Sequence, residues 1–489
     1  MNIRAIRFLS LTVLMAQMLL SLSCADNSTS TDNSDKESDA IQGTSDIDQE
    51  TNGKDSIPDD LPDVDLDGYE FRIMVSHPNY IKYVYSEEQD GSLLNDAVFM
   101  KRRNVEERFN CKIKLAEGSG VLPNANSDDF QLVSKPLMAG EYNFDIATSH
   151  DLSMAALSLD GYFLDLCEIP YLNFDKPWWP KFTMDSLTVN GRAYLFSNNI
   201  SYEFMSDTRV MFFNKKIITD MNLDMPYELV YDGKWTLDRM GEMSASAYVD
   251  LNGNSEIDEG DRFGFVNQMW YAYLEAFNLE SYCEGSDGNL SYVFDTDKYQ
   301  KIIDKFYSMT FSNGGLFKEN AVNIFSEGKA LFTYQMLDCA TTDFSQSDVQ
   351  YGILPMPKLD ENQSQYYGGM TDRPYGVPVT AHENIDKIGL IIEALSAEGY
   401  KNVYPAYFEQ ALKARYSDQT DDANMIDIVC GNDILAFSYI YGKDSPFNSM
   451  MYELLKPGVS NPSVASYAAK KEKSQKSRVE KLNTFFHGN

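Results

Sequence analysis

Residues 69–75 read YEFRIMV, residues 94–110 read LNDAVFMKRRNVEERFN and residues 111–117 read CKIKLAE. In the first, apolar and polar residues alternate, which predicts a strand. In the second, apolar residues recur at helical spacing, and the third returns to a strand pattern. A strand, a helix and a strand in that order argue for α/β layers built on a largely parallel sheet. Working outward, YNFDIATS (142–149) predicts a further strand and DLSMAALSLDGYFLDL (151–166) a helix. TRVMFFNKKIITDMNL (208–223) reads as a strand then a helix, WTLDRMGEMSASAYV (235–249) as a helix and RFGFVN (262–267) as a strand. YQKIIDKFYSMTFS (299–312) is helical, and KALFTYQM (329–336), YGILPMP (351–357) and YGVPVT (375–380) are strands. Residues 385–416 form a long helical region broken near Pro405, and 465–488 form a last helix with a solvated charged face.

The chain has 489 residues, too many for one ordinary domain. It contains no repeat of solenoid length. Two α/β lobes with a cleft between them are the economical arrangement, and ligands of such sheets sit beyond the carboxyl ends of strands. Aromatic residues make up 13%, with 31 Tyr, which suits a packed protein with a polar-aromatic ligand surface. A net charge of −33 excludes an ordinary nucleic-acid or anionic-lipid binder, because those need clustered Lys and Arg.

Arg4 and Arg7 precede the apolar stretch FLSLTVLMAQMLLSLS, and Cys24 follows it at once. The stretch is short for a spanning helix and lacks a basic stop-transfer flank, so residues 1–23 read as a signal peptide. Cys24 resembles the lipid-modified cysteine of a bacterial lipoprotein, with small Ser23 before it and a polar tether after it. The match is imperfect, since Ser21 stands where Leu is usual; cleavage nearby without lipidation is the other reading. Residues 24–66 are an acidic, Ser/Thr/Asn/Asp-rich tether with too little apolar surface to offset its chain entropy. Beyond it, Cys111, Cys167, Cys283, Cys339 and Cys430 are widely spaced without CxxC and read as small buried hydrophobes.

No motif announces catalysis. His77, His150, His382 and His487 are the four histidines, and no HExxH, GxSxG or phosphate-binding loop occurs. Paired carboxylates for glycoside hydrolysis stay open, but with 74 acidic residues their presence carries no information. Ligand contacts are expected instead on loops after strands. His150 and Asp151 follow YNFDIATS and either face the cleft or belong to a plain surface loop. Trp178 and Trp179 can stack on a sugar ring or pack in the core. Trp270, Tyr271 and Tyr273 follow RFGFVN and form the better platform, with flat apolar faces and a polar hydroxyl. Gln335 and Asp338 follow KALFTY on the same logic.

Residues 250–261, DLNGNSEIDEGD, place Asp250, Asn252, Asn254, Glu256, Asp258 and Asp261 at the first, third, fifth, seventh, ninth and twelfth positions of a calcium loop. Ser255 replaces the Gly of the sharp turn and Asp261 the terminal Glu. Both changes weaken affinity toward the extracellular class, on the order of 10⁻⁴–10⁻³ M. A single such loop joining a helix to a strand suits a structural Ca2+ staple, not a sensor.

The chain resembles the lipoprotein-anchored, sugar-type extracellular solute-binding proteins of bacterial ABC importers, in versions common in Firmicutes. The resemblance rests on the order of DLDGYEFRI, LNDAVFMKRRNVEERFNCKI, FDIATSHDLSMAALSLDGYFLDL, MFFNKKIITD, YDGKWTLDRM, DLNGNSEIDEGDRFGF, GKALFTY, YGILPMPK and YPAYFEQALKARY. It implies an α/β, type II periplasmic-binding-protein-like fold, with lobe 1 at 67–208 plus 366–410 and lobe 2 at 209–365 plus 411–489. It implies a monomer that captures an oligosaccharide-like solute by hinge closure and delivers it to the permease subunits of an ABC transporter. The expected place is the outer face of the bacterial membrane, held there by the lipid anchor, with no catalysis and no nucleic acid. A secreted calcium-dependent glycan-active enzyme and an orphan sensor or adhesin are the alternatives.

Overall fold

In the computed structural model the chain divides into Met1–Gln49 and Glu50–Asn489. Described are residues 57–121, 130–268, 270, 273–312, 314–317, 320–370, 373–413, 420–442, 445 and 449–488. The signal segment, Cys24 and Tyr271 lie outside them.

Strand β1 (Tyr69–Val75) buries Phe71, Ile73 and Val75 on one face and Met74 on the other. It leads into helix α1 (Leu93–Phe109), which buries Val98, Val105 and Phe109. Asn110 closes α1 in the left-handed region at φ 49°, its N–H bonded to the Glu106 carbonyl. Strand β2 (Cys111–Leu115) then lies parallel to β1, Tyr69 opposite Cys111. Strand β3 (Ile146–Thr148) lies parallel on the other side of β1, Ile73 opposite Ile146, and helix α2 (Asp151–Leu159) follows it.

The second sheet begins with β4 (Arg209–Asn214), RVMFFN, a run buried throughout as a central strand requires. Helix α3 (Leu237–Ala247) is capped by Thr236, whose hydroxyl accepts from the Arg239 N–H. It packs on β5 (Phe263–Asn267) so closely that a Cβ on Gly264 would stand 1.9 Å from the Ser244 carbonyl oxygen. Helix α4 (Thr296–Phe311), β6 (Leu316–Phe317), β7 (Ala330–Met336) and β8 (Tyr351–Leu354) complete this part. The strand order is β8-β4-β7-β5-β6, with β5, β6 and β7 mutually parallel and β4 antiparallel to β7 and β8.

Strand β9 (Tyr375–Gly376) returns to the first sheet, antiparallel to β3, giving the order β9-β3-β1-β2. It is shorter than YGVPVT suggested, because Pro378 cannot donate to a ladder and a 3₁₀ turn takes over at Val379–Asn384. Helix α5 (Ile385–Glu398) buries Ile388, Ile391, Ile392 and Leu395 against Phe71, Val105 and Ile113. A π-turn at Gly399–Val403 separates it from α6 (Tyr404–Lys413). Pro405 has no N–H to give the preceding turn, so the expected break falls just before it. Helix α7 (Phe437–Ile440) and the long α8 (Val464–His487) finish the chain.

Two expectations need correction. The tether ends earlier than 66: Asp59 pairs with Arg108 at 2.5 Å, Lys176 donates to the Pro58 carbonyl at 2.7 Å, and Leu61 packs on the core. The cysteines are not uniformly buried: Cys111 and Cys339 are, but Cys167 is exposed.

Candidate functional site

The carboxyl ends of both sheets meet. In the first sheet β1 and β3 run out into His77–Tyr80 and Ser149–Asp151. Antiparallel β9 begins at the same end, where the Thr148 hydroxyl donates to the Arg373 carbonyl at 3.1 Å. In the second sheet β5 ends at Asn267 and β7 at Met336, and antiparallel β4 starts beside them with Arg209 opposite Met336. The segments between the sheets touch where Thr208 bridges Met370 and its carbonyl accepts from the Leu337 N–H at 2.8 Å.

Charged groups crowd this junction. The Arg373 guanidinium lies 3.4 Å from the centre of the Tyr80 ring, donates to the Tyr80 hydroxyl at 2.7 Å and is paired with Glu203. Asp207 stands 3.7 Å away. Burial pushes the Asp207 carboxyl up to about 6, with Arg209 and Arg373 pulling it down and Asp338 pushing it up. Across the junction, burial raises Asp151, but His150, its Nδ1 lying 2.6 Å from the carboxylate, the Tyr439 hydroxyl of α7 and the Leu152 N–H together outweigh it, and the net shift is downward. Asp151 in turn adds to the burial that pushes the Tyr439 phenol up. Glu275, wholly buried, is pushed up to about 8 by burial and by nearby Glu280, against the pull of Arg209. Ser149 Oγ, Asn267 Nδ2 and Glu275 Oε1 are buried with no hydrogen-bond partner among the described residues. Unpaired buried polar atoms are costly, and here they gather where strands of both sheets end.

No family model matches the chain. Over 181 residues, 33% of its length, it is 28% identical to the galactooligosaccharide-binding protein of Bacillus subtilis (strain 168), and it covers only 38% of that relative. Among solved structures, M. tuberculosis UspC is similar with a TM-score of 0.53 at 13% identity, over 84% of this chain and 100% of that one. UgpB from Mycobacterium tuberculosis, solved in complex with glycerophosphocholine, gives 0.52 at 12% over 85% and 99%. The GacH receptor of Streptomyces glaucescens GLA.O, solved unliganded and with acarbose, gives 0.51 at 12% over 84% and 99%. The chain has a type II periplasmic-binding-protein-like fold.

In a periplasmic-binding-protein-like fold the facing sheet edges are the cleft walls, and the residues expected from sequence divide accordingly. His150 is exposed, Asp151 is buried beside it, and Asp338 is half-buried, accepting from the Thr341 hydroxyl at 2.9 Å. Gln335 is buried and donates to the Thr333 hydroxyl at 3.2 Å. Trp270 and Tyr273 differ from the open platform expected. Trp270 is 3% exposed and packs edge-on against Phe306, and Tyr273 lies 4.1 Å from Tyr334 between ring centres and donates to Asn267 Oδ1 at 2.8 Å. Trp178 and Trp179 are core residues: their indole N–H groups donate to the two oxygens of buried Glu393 at 2.8 and 2.9 Å. A cavity of about 360 Å³ lined by Phe174, Trp179, Asn199, Tyr400, Tyr404 and Asp427 shares no residue with the charged junction.

Sequence reading missed Tyr80, Glu203, Asp207, Arg209, Glu275, Arg373 and Tyr439. Only Arg209 had an available signal, a charge heading the otherwise apolar strand RVMFFN.

The 250–261 loop closes on itself between α3 and β5. Asp250 Oδ1 accepts from the Gly253 N–H at 2.6 Å and Oδ2 from the Ser255 N–H at 2.9 Å. Ser255 makes the turn usually given to Gly, at φ 65°. Asn252 and Asn254 donate to Asp258 at 2.9 and 2.6 Å, and buried Asp261 accepts from the Tyr248 hydroxyl at 3.0 Å. Among the described residues no group of three or more His, Cys, Asp or Glu side chains is gathered as metal ligands; the loop's oxygens come from carboxamides as well as carboxylates, a hard donor set of the kind calcium takes.

Proposed function

We propose that this chain is the extracytoplasmic solute-binding component of an ABC importer, a binding protein without catalytic activity that captures a carbohydrate. What supports the reading is the junction: unpaired buried polar atoms, carboxylates and arginines gather where strands of both sheets end, groups suited to hydroxyl-rich ligands through hydrogen bonds. The name of the Bacillus subtilis relative supports the same ligand class. Closure is a population shift: a ligand touching both walls binds the closed state better and draws the molecule into it.

Delivery to permease subunits, residues 67–208 plus 366–410 and 209–365 plus 411–489 as the two lobes, a monomeric state, and attachment through Cys24 belong to the same proposal. No helix among the described residues is long and apolar enough to cross a membrane. For the 250–261 loop we propose a Ca2+ held by Asp250, Asn252, Asn254, Glu256, Asp258 and Asp261. Bound there, the ion would supply positive charge that neutralises the clustered carboxylates and braces the α3–β5 joint. A thermal-shift screen of neutral oligosaccharides, with and without calcium, tests the ligand class: at least one sugar is expected to raise the melting temperature, and a panel with no effect counts against it.

A further inference from the structure

Away from the charged junction, the cavity of about 360 Å³ is walled from both parts of the molecule, and its volume falls in the range of small-molecule sites. Phe174 and Trp179 pack with the core of the first sheet, and Tyr400 and Tyr404 come from the π-turn and the start of α6. Asp427 completes the wall from the helix Thr420–Cys430, which is fixed to the second sheet where Asp422 Oδ1 accepts from the Ile353 N–H of β8 at 2.8 Å.

Asn199, 4% exposed, also lines this cavity. Its N–H donates to the Trp178 carbonyl at 3.2 Å, and its carbonyl oxygen lies so close to Gly399 that a Cβ there would stand 1.8 Å away. The backbone is thus held from two sides, which fixes where the carboxamide sits. Its Nδ2 is buried and has no hydrogen-bond partner among the described residues. A buried donor without an acceptor is costly, and a ligand oxygen in the cavity would supply one.

The rest of the wall defines the ligand. The Trp179 indole N–H is spent on Glu393 at 2.9 Å, Lys176 on the Pro58 carbonyl at 2.7 Å and Asp60 at 2.5 Å, and Lys181 on Asp185 at 2.9 Å. Neither lysine is left over for an anion. A pyranose would bring several hydroxyls, each needing a partner once buried, whereas a ring with one carbonyl asks for one donor. Phe174, Tyr400 and Tyr404 are half-buried and give such a ring aromatic surface to pack on.

We propose that this cavity is a second ligand site, separate from the cleft, for a small uncharged ring bearing a carbonyl acceptor, with Asn199 as its hydrogen-bond donor. The site goes beyond solute capture and stands whether or not the cleft takes a sugar. The test is calorimetric titration of the whole chain with benzamide and with benzoate, which keeps the ring and adds a charge. Benzamide is expected to bind saturably, and benzoate at least fivefold more weakly. Asn199→Leu, which keeps the bulk and removes the donor, should weaken benzamide at least fivefold, and Tyr404→Ala should weaken it as well. Tyr404 is half-buried, so its variant keeps the test alive should the buried Asn199 variant misfold. Galactose added in excess should leave benzamide bound. No saturable benzamide binding overturns the site, and an affinity unmoved in Tyr404→Ala and in a folded Asn199→Leu overturns its location. Benzoate binding as tightly as benzamide, or displacement of benzamide by galactose, overturns the ligand class.

Discussion

Arg373→Ala removes the group that joins the first sheet's edge to the charged cluster. Its guanidinium is paired with Glu203, whose side chain is 1% exposed, and it covers the Tyr80 ring at 3.4 Å. Deleting one partner of a buried ion pair leaves an uncompensated charge and costs about 3–5 kcal/mol. The lost cation–π contact adds about 0.5–2 kcal/mol. Because Arg373 itself keeps 21% side-chain exposure and water can enter the vacated space, the lower part of that range is expected, about 3 kcal/mol in all. Glu203→Gln alone should cost less, since Asp207 remains 3.7 Å from the guanidinium. In the double variant no buried charge is orphaned, so its loss should fall short of the sum by about 1–3 kcal/mol. Urea unfolding of the four proteins closes the cycle. A loss below about 1 kcal/mol for Arg373→Ala, or strict additivity, would refute the reasoning that this pair is desolvated and mutually dependent.

Three further outcomes are expected. Burial raises Glu280 and Glu393 from 4.5 to about 7 and Glu275 to about 8, so the fold binds protons that the unfolded chain has released. Their contribution is whole below pH 4.5 and is lost as pH rises through 7 to 8. Urea midpoints should therefore fall across that window, and Glu393→Gln should flatten the fall; an unchanged slope counts against burial of a neutral Glu393. Asp250→Ala should lower the melting temperature more in calcium than in chelator, where only its hydrogen bonds to the Gly253 and Ser255 N–H groups are lost, and equal losses in both would sink the calcium clip. Gly399→Ala sets a Cβ 1.8 Å from the Asn199 carbonyl oxygen, a clash with backbone that should cost about 1–3 kcal/mol in urea unfolding; a neutral result means the π-turn is looser than it stands here.

The layers were readable because YEFRIMV, CKIKLAE and RVMFFN carry period-two or continuous apolar patterns that follow from which faces are buried. The turn at Ser255 was likewise readable, since the spacing of the loop demands a sharp turn wherever the residue allows it. The cleft was not. Arg373 lies far in sequence from Glu203 and Asp207, and only the return of β9 beside β3 brings it to them. The aromatic residues misled for a related reason: Trp270 follows a strand as a ligand platform would, yet Phe306 on α4 and Tyr273 cover it, and no local pattern reports a contact made across the fold. Trp178 and Trp179 await a partner, Glu393, more than two hundred residues downstream.

Calorimetric titration with the neutral oligosaccharide that most raises the melting temperature, on the wild-type chain beside Asp151→Asn and Tyr439→Phe, bears most directly on sugar capture in this cleft. Saturable one-to-one binding is expected in the wild type, weakened at least tenfold in Asp151→Asn and less in Tyr439→Phe, as the proposal of Asp151 as a ligand carboxylate, with the Tyr439 hydroxyl lowering its pKa, requires. Equal affinity in all three proteins, or no binding by a folded wild type, would contradict it.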